Sequence, residues 1–190
     1  AQHPAASVVE MDTVYNDVSN GPFIQTFQFV TYHFMKGIFH AYKNSDAMYR
    51  GVCSIYSALG EKDFKNLFEV ILTDRGSEFV CADDMEKLGC HVFYCDPMAS
   101  SQKPHIKNNH NLFRYVCPSG ANLKKIGLQS QEDVDVIFSH VNSYKRESLM
   151  GKSPIEVFNF FHNNSNILEK LEIKEIDSES IDLTLNLIKK

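Results

Sequence analysis

The 190-residue chain has no tryptophan, no apolar run close to a bilayer-crossing length, no paired-cysteine pattern and no excess of basic side chains. A spanning helix needs about 20 consecutive apolar residues, so the sequence predicts no membrane contact. No cationic segment followed by an apolar one stands at the front. The chain opens at Ala1 with AQHPAAS rather than an initiator methionine, and it reads as a fragment. The five cysteines, Cys53, Cys81, Cys90, Cys95 and Cys117, are odd in number and fit no zinc-ligand spacing. A reduced, cytoplasmic chain is the expectation. Cys95 with His91 or His105 lacks any activating pattern, so a buried structural thiol is the preferred reading.

A net charge of −5 argues against a nucleic-acid binder, because phosphate contacts are made mostly by Lys and Arg. The charge is uneven, however. Residues 101–152 hold eight basic side chains against four acidic ones, a local excess of four positive charges. On composition alone this is an ordinary solvated face.

What is present is an ordinary globular composition, 43% hydrophobic and 12% aromatic, enough for one core. SVVEMDTVY (7–15), QTFQFV and MKGIFHAYK read as three strands joined by short turns, an antiparallel meander. From Asp46 to about Phe68, Met48, Val52, Ile55, Tyr56 and Leu59 recur at three- and four-residue steps, the period of one buried helix stripe. FEVILTD and HVFYCDP are short apolar runs separated by a helix over about Ala82 to Leu88. Strand, helix and strand in so few residues predict a parallel crossover. Helices are expected over about Lys103–Val116, Gln131–Ser143 and Pro154–Phe161, the last with Ser153 as cap and Pro154 at its first position. Residues 1–162 form the expected domain. Residues 163–190 are an acidic amphipathic tail that packs either on it or on a partner.

Asp12 and Asp74 each interrupt an apolar strand, and a carboxylate beside a core strand is expensive unless it is paired or binds a metal. Were the two strands neighbours, the acids would meet as a hard-oxygen site suited to Mg²⁺ or Mn²⁺. Glu10, on the same strand face as Asp12 about 6–7 Å away, and Glu78, four residues after Asp74, rank below them.

Read in order, EMDTVYN, ILTDRGSEF, VFYCDP, the polar helix PHIKNNHNLFRYV and KSPIEVF resemble the catalytic domain of bacterial insertion-sequence transposases. The likeness is greatest to the group named after insertion sequence thirty, and runs from about Val8 to Phe161. It implies an RNase H-like (retroviral integrase-like) α/β fold, with three antiparallel strands plus two parallel ones in a mixed sheet flanked by helices. It also implies a triad of two aspartates and a glutamate holding two divalent metals, Mg²⁺ or Mn²⁺, for DNA strand cleavage and strand transfer. Asp12 and Asp74 take the two aspartate places. DNA is the implied partner, in a bacterial cytoplasmic homo-oligomer, and a helix-turn-helix region ahead of the core would carry specific DNA recognition. Weak, salt-sensitive DNA binding is therefore expected of these residues.

The third acid departs from that pattern. The family's glutamate is followed by an asparagine and, seven residues on, by an arginine. Counting back from Arg114 through Asn108 puts Lys107 in its place. The interval from Asp74 is one residue short. Ser101 and Pro104 replace a tryptophan and a glycine, His110 an asparagine, while Gln102 fits. An ammonium about 4 Å from two carboxylates attracts each by about 4 kcal/mol at an effective dielectric of about 20, and would compete with a metal. Lys107 is thus expected to silence catalysis while preserving the fold. Lys103, Asn108 and Arg114 are the expected DNA contacts. Two other readings stay open: a catalytically dead docking or dimerisation module, and an RNase H-like nuclease.

Overall fold

The computed structural model describes residues 6–17, 19–96, 103–162 and 165–189. Its centre is a five-stranded sheet of β1 (Val8–Val14), β2 (Phe23–Phe29), β3 (Phe34–His40), β4 (Val70–Thr73) and β5 (His91–Tyr94), in the order β3-β2-β1-β4-β5. β1, β2 and β3 pair antiparallel, whereas β1–β4 and β4–β5 pair parallel. The expected meander and crossover are both present.

The apolar stripe predicted as one helix from Asp46 to Phe68 is two helices, α1 (Ser45–Leu59) and α2 (Glu61–Leu67). Gly60, at φ +80°, breaks them apart in a backbone region that glycine enters most readily. α1 covers one sheet face, where Gln25 on β2 donates to the Met48 carbonyl at 3.1 Å. α3 (Ala82–Glu86) supplies the β4–β5 crossover, and its Glu86 accepts the Val92 amide on the outer strand.

The other face is covered by α4 (Pro104–Val116) and α5 (Gln131–Ser143). The outer strand β3 has backbone groups with no strand to pair. α5 satisfies several of them with side-chain amides: Asn142 bonds both the amide and the carbonyl of Met35, while Gln131 accepts from Phe39 N and donates to Gly37 O. This close approach requires Gly37, because a Cβ there would lie 2.3 Å from Phe138 Cε2. α5 and α6 (Pro154–Phe161) both begin with a capping box, on Ser130 and Ser153.

The tail packs on the core. Its short helix α7 (Ile167–Lys170) and following residues bury Ile167, Leu171 and Ile173. Lys36 on β3, an ammonium with almost no exposure, bonds the Leu171 carbonyl and the Asp135 carboxylate. Ser139, His140 and Ser143 of α5 accept the amides of Lys174, Asp182 and Ile176. Lys170 reaches the Leu59 carbonyl and Asp63, so the tail bridges α5 to α1 and α2.

No helix among the described residues is long and apolar enough to cross a membrane.

Candidate active site

β1 and β4 lie side by side and parallel, with Glu10 level with Leu72. Two residues further along each chain come Asp12, still on β1, and Asp74, just past the end of β4. Thr73 tightens this end by bonding the Met11 carbonyl at 3.2 Å. The sheet ladder therefore delivers the two acids to the same height at one edge of the molecule. Asp12 is partly buried, and its Oδ1 accepts the Thr13 amide at 2.8 Å. Asp74 is 54% exposed.

A lysine joins them. Lys103 Nζ lies 2.9 Å from Asp74 Oδ2 and 3.6 Å from Asp12 Oδ2, and donates to the Met11 carbonyl at 3.1 Å. Its side chain is only 4% exposed. Burial pushes the Asp12 carboxyl above its ordinary range. The Lys103 charge and the Thr13 amide pull it back, while the like charge of Asp74 adds to the rise.

Glu10 explains how Lys103 is held there. It is buried on the sheet face that α4 covers, and its Oε2 accepts the Ile106 amide at 2.7 Å. Ile106 is the third residue of α4, whose first turn holds no acid and whose N-terminal amides have no partner inside the helix. A carboxylate borrowed from β1 caps it instead. Burial raises the Glu10 carboxyl, and the Ile106 amide opposes that rise. Glu10 is thus a positioning residue for α4. Glu78 is engaged elsewhere, paired with Lys43 at 2.7 Å.

Along α4, Lys103, Lys107, His110 and Arg114 recur at steps of four, three and four, forming one stripe. Lys103 meets the aspartates. His110 Nε2 contacts Thr26 Oγ1 at 2.9 Å, and Thr26 is the cross-strand partner of Asp12. Burial pushes the His110 imidazole down to about 3, so it is neutral. Arg114 donates to Asn16 Oδ1 and lies 3.4 Å from the Tyr15 and Cys117 carbonyls, anchoring the chain that leaves β1. Lys107 lies on the same stripe with its side chain exposed, as does Asn108 beside it. Neighbouring Asn109 is buried and donates to Gln28 Oε1 and the His33 carbonyl.

The predicted residues therefore separate. Asp12 and Asp74 come together, Lys107 and Asn108 face solvent, and Lys103 and Arg114, expected on DNA, have their donors engaged inside the fold. Gln102 and Ser101 lie outside the described residues. Sequence reading missed Lys103 as the bridging cation and Glu10 as the cap. The spacing from Lys103 to Lys107, one helical turn, was the available signal that two lysines compete for one edge.

As arranged, these residues do not fit a pair of divalent ions. Among the described residues no three acid, histidine or cysteine side chains are placed to hold a metal. Two carboxylates with an ammonium between them offer a charge-balanced ion triad rather than an open cation site.

No family model matches the chain. Over 92 residues, 48% of this chain and 26% of the relative, it is 29% identical to the transposase for insertion sequence element IS1086 of Cupriavidus metallidurans. Over 108 residues, 52% of this chain and 33% of the relative, it is 30% identical to the protein of Spiroplasma virus SpV1-R8A2 B named "Putative integrase ORF3". The matches thus span between a quarter and a third of these curated relatives. Among solved structures, the catalytic core domain of BIV integrase superposes with a TM-score of 0.61 at 11% identity, covering 83% of this chain and 97% of that one. The fold is therefore the RNase H-like fold of an integrase catalytic core, and the sequence likeness runs to a transposase and an integrase.

Proposed function

We propose that the chain is the catalytic core of a DNA transposase or integrase that has lost its chemistry while keeping its architecture. The observation that carries this reading is the level placement of Asp12 and Asp74 on adjacent parallel strands of an integrase-core fold, under a helix that offers ammonium groups where a third carboxylate is needed. Asp12 and Asp74 are the first two acids of the triad and Lys107 stands at the third. The bound ions of a working site, Mg²⁺ or Mn²⁺, would supply an activated water or 3′-hydroxyl and stabilise the leaving oxygen. The partners are DNA, both element ends and target, and further copies of this chain in the bacterial cytoplasm. Lys107 and Asn108, exposed beside the acids, are the side chains free to meet a phosphate backbone. Residues 1–162 form the catalytic unit, with the tail as a brace.

The test is Mn²⁺-dependent nicking of labelled DNA carrying the element's ends. The natural chain should be inert. Lys107→Glu, combined with Lys103→Gln, should restore nicking, and an Asp12→Asn change in that background should abolish it. Cleavage by the natural chain would overturn the inactive assignment, and an inert double variant within the full-length protein would overturn the triad. A second reading, a non-enzymatic DNA-docking or dimerisation module, is favoured by the buried ammonium between the acids. It expects no cleavage from any variant.

A further inference from the structure

We infer that Lys103 is a built-in counter-cation occupying the divalent-metal position of the aspartate site, so that a metal binds this chain only when the lysine leaves. This rests on reading Asp12 and Asp74 as the acids of a DNA-transfer site, and it concerns a residue outside the triad.

Three oxygens, Asp12 Oδ2, Asp74 Oδ2 and the Met11 carbonyl, face one ammonium at 3.6, 2.9 and 3.1 Å. Carboxylate and carbonyl oxygens are the donors a hard cation takes, and the three N–H donors of an ammonium match them in number. The lysine is no surface side chain drifting past an acid, since it is 4% exposed. Its backbone is constrained from both directions. Pro104 follows it and restricts its conformation, and Glu10 fixes the first turn of α4 through the Ile106 amide. Two carboxylates at one point repel unless a positive charge lies between them. Lys103 supplies that charge from within the chain, and the domain needs no metal to hold the acids together. Reverting Lys107 alone would then leave the site blocked.

Mn²⁺ binding by the purified chain, followed by loss of the free-ion electron paramagnetic resonance signal, tests this without DNA. The natural chain should show no saturable binding at millimolar Mn²⁺. Lys103→Gln should bind about tenfold tighter or more, gain melting temperature with added Mn²⁺, and lose both on further Asp12→Asn substitution. Equal Mn²⁺ affinity in the natural and Lys103→Gln proteins would overturn the inference, as would a folded Lys103→Gln protein that binds none. A second measurement needs no substitution at Lys103. In the natural chain Lys103 should acetylate about tenfold more slowly than exposed Lys107, and lose that protection when Asp12 and Asp74 are both changed to Asn. Equal reactivity of the two lysines would refute the buried-cation assignment. Neither readout depends on strand cleavage, so the role of Lys103 and the transposase reading can fail separately.

Discussion

Lys103 Nζ sits 2.9 Å from Asp74 Oδ2 while almost wholly shielded from water, although Asp74 itself is half exposed. The cation is the enclosed partner and the acid the open one. Its charge is tolerated because Asp12 and the Met11 carbonyl flank it on the inner side.

Removing the acids should therefore cost more together than either does alone. Asp74→Asn is expected to lower stability by about 1 kcal/mol, because an exposed partner is screened by solvent. The Asp12→Asn, Asp74→Asn pair leaves a buried ammonium with no counter-charge and should lose about 3 kcal/mol. Urea unfolding followed by circular dichroism measures both, and strict additivity of the single losses would argue that the acids do not share the lysine.

Glu10 should behave as a cap whose charge matters little. Burial raises its carboxyl, so the neutral amide of Glu10→Gln, which keeps an acceptor for the Ile106 amide, should stay within about 0.5 kcal/mol of the natural chain. Glu10→Ala leaves that amide without a partner and should lose about 1–2 kcal/mol. Amide hydrogen exchange at Ile106 should accelerate in the alanine variant alone.

Ending the chain at residue 162 should destabilise the core severely. It removes the buried side chains of Ile167, Leu171 and Ile173, worth about 1.5–3 kcal/mol each, and takes the Leu171 carbonyl from the Lys36 ammonium. A milder version is Gly127→Ala. Gly127 has φ +109°, and an added Cβ would lie 2.0 Å from the Ile188 carbonyl oxygen. The substitution should detach the last residues of the tail, seen as faster exchange there, with the sheet unchanged.

Acid should weaken the domain through two histidines. Burial lowers His110 from 6.5 to about 3 and His40 from 6.5 to about 4. Between those values and 6.5 the unfolded chain binds more protons than the folded one, so stability rises with pH across that window and falls on acidification. Each pH unit below 6.5 removes up to about 1.4 kcal/mol per histidine. The raised Asp12 and Glu10 carboxyls act in the opposite sense, favouring the folded state as they take up protons. In melts from pH 7 to 4, His110→Gln should give the shallower acid slope.

The strands were readable because their apolar runs end in turn residues, and α5 and α6 because Ser130 and Ser153 announce their starts. The split at Gly60 was hidden, since an apolar stripe continues through both helices. Lys36 and Lys103 were illegible as buried ions: in sequence each is a lysine beside an apolar or polar run, and only the fold shows the carboxylates and carbonyls that receive it. Asp12 and Asp74 were legible as a pair because adjacent parallel strands ending in acids have one way to meet. Glu10 looked like a rival ligand, since alternation puts it on the face of Asp12, and the helix that claims it lies almost a hundred residues away.

The parallel ladder between β1 and β4 carries one further implication, for how such a domain ages. Backbone pairing, not loops or side-chain contacts, sets Asp12 and Asp74 level, so any descendant that keeps the sheet inherits the acid pair with it. The exposed turn of α4 has no such protection. A lineage that stops transposing can therefore keep an intact-looking pair of acids long after the helix above them has drifted, and whether its reaction survives is better read from α4 than from the strands.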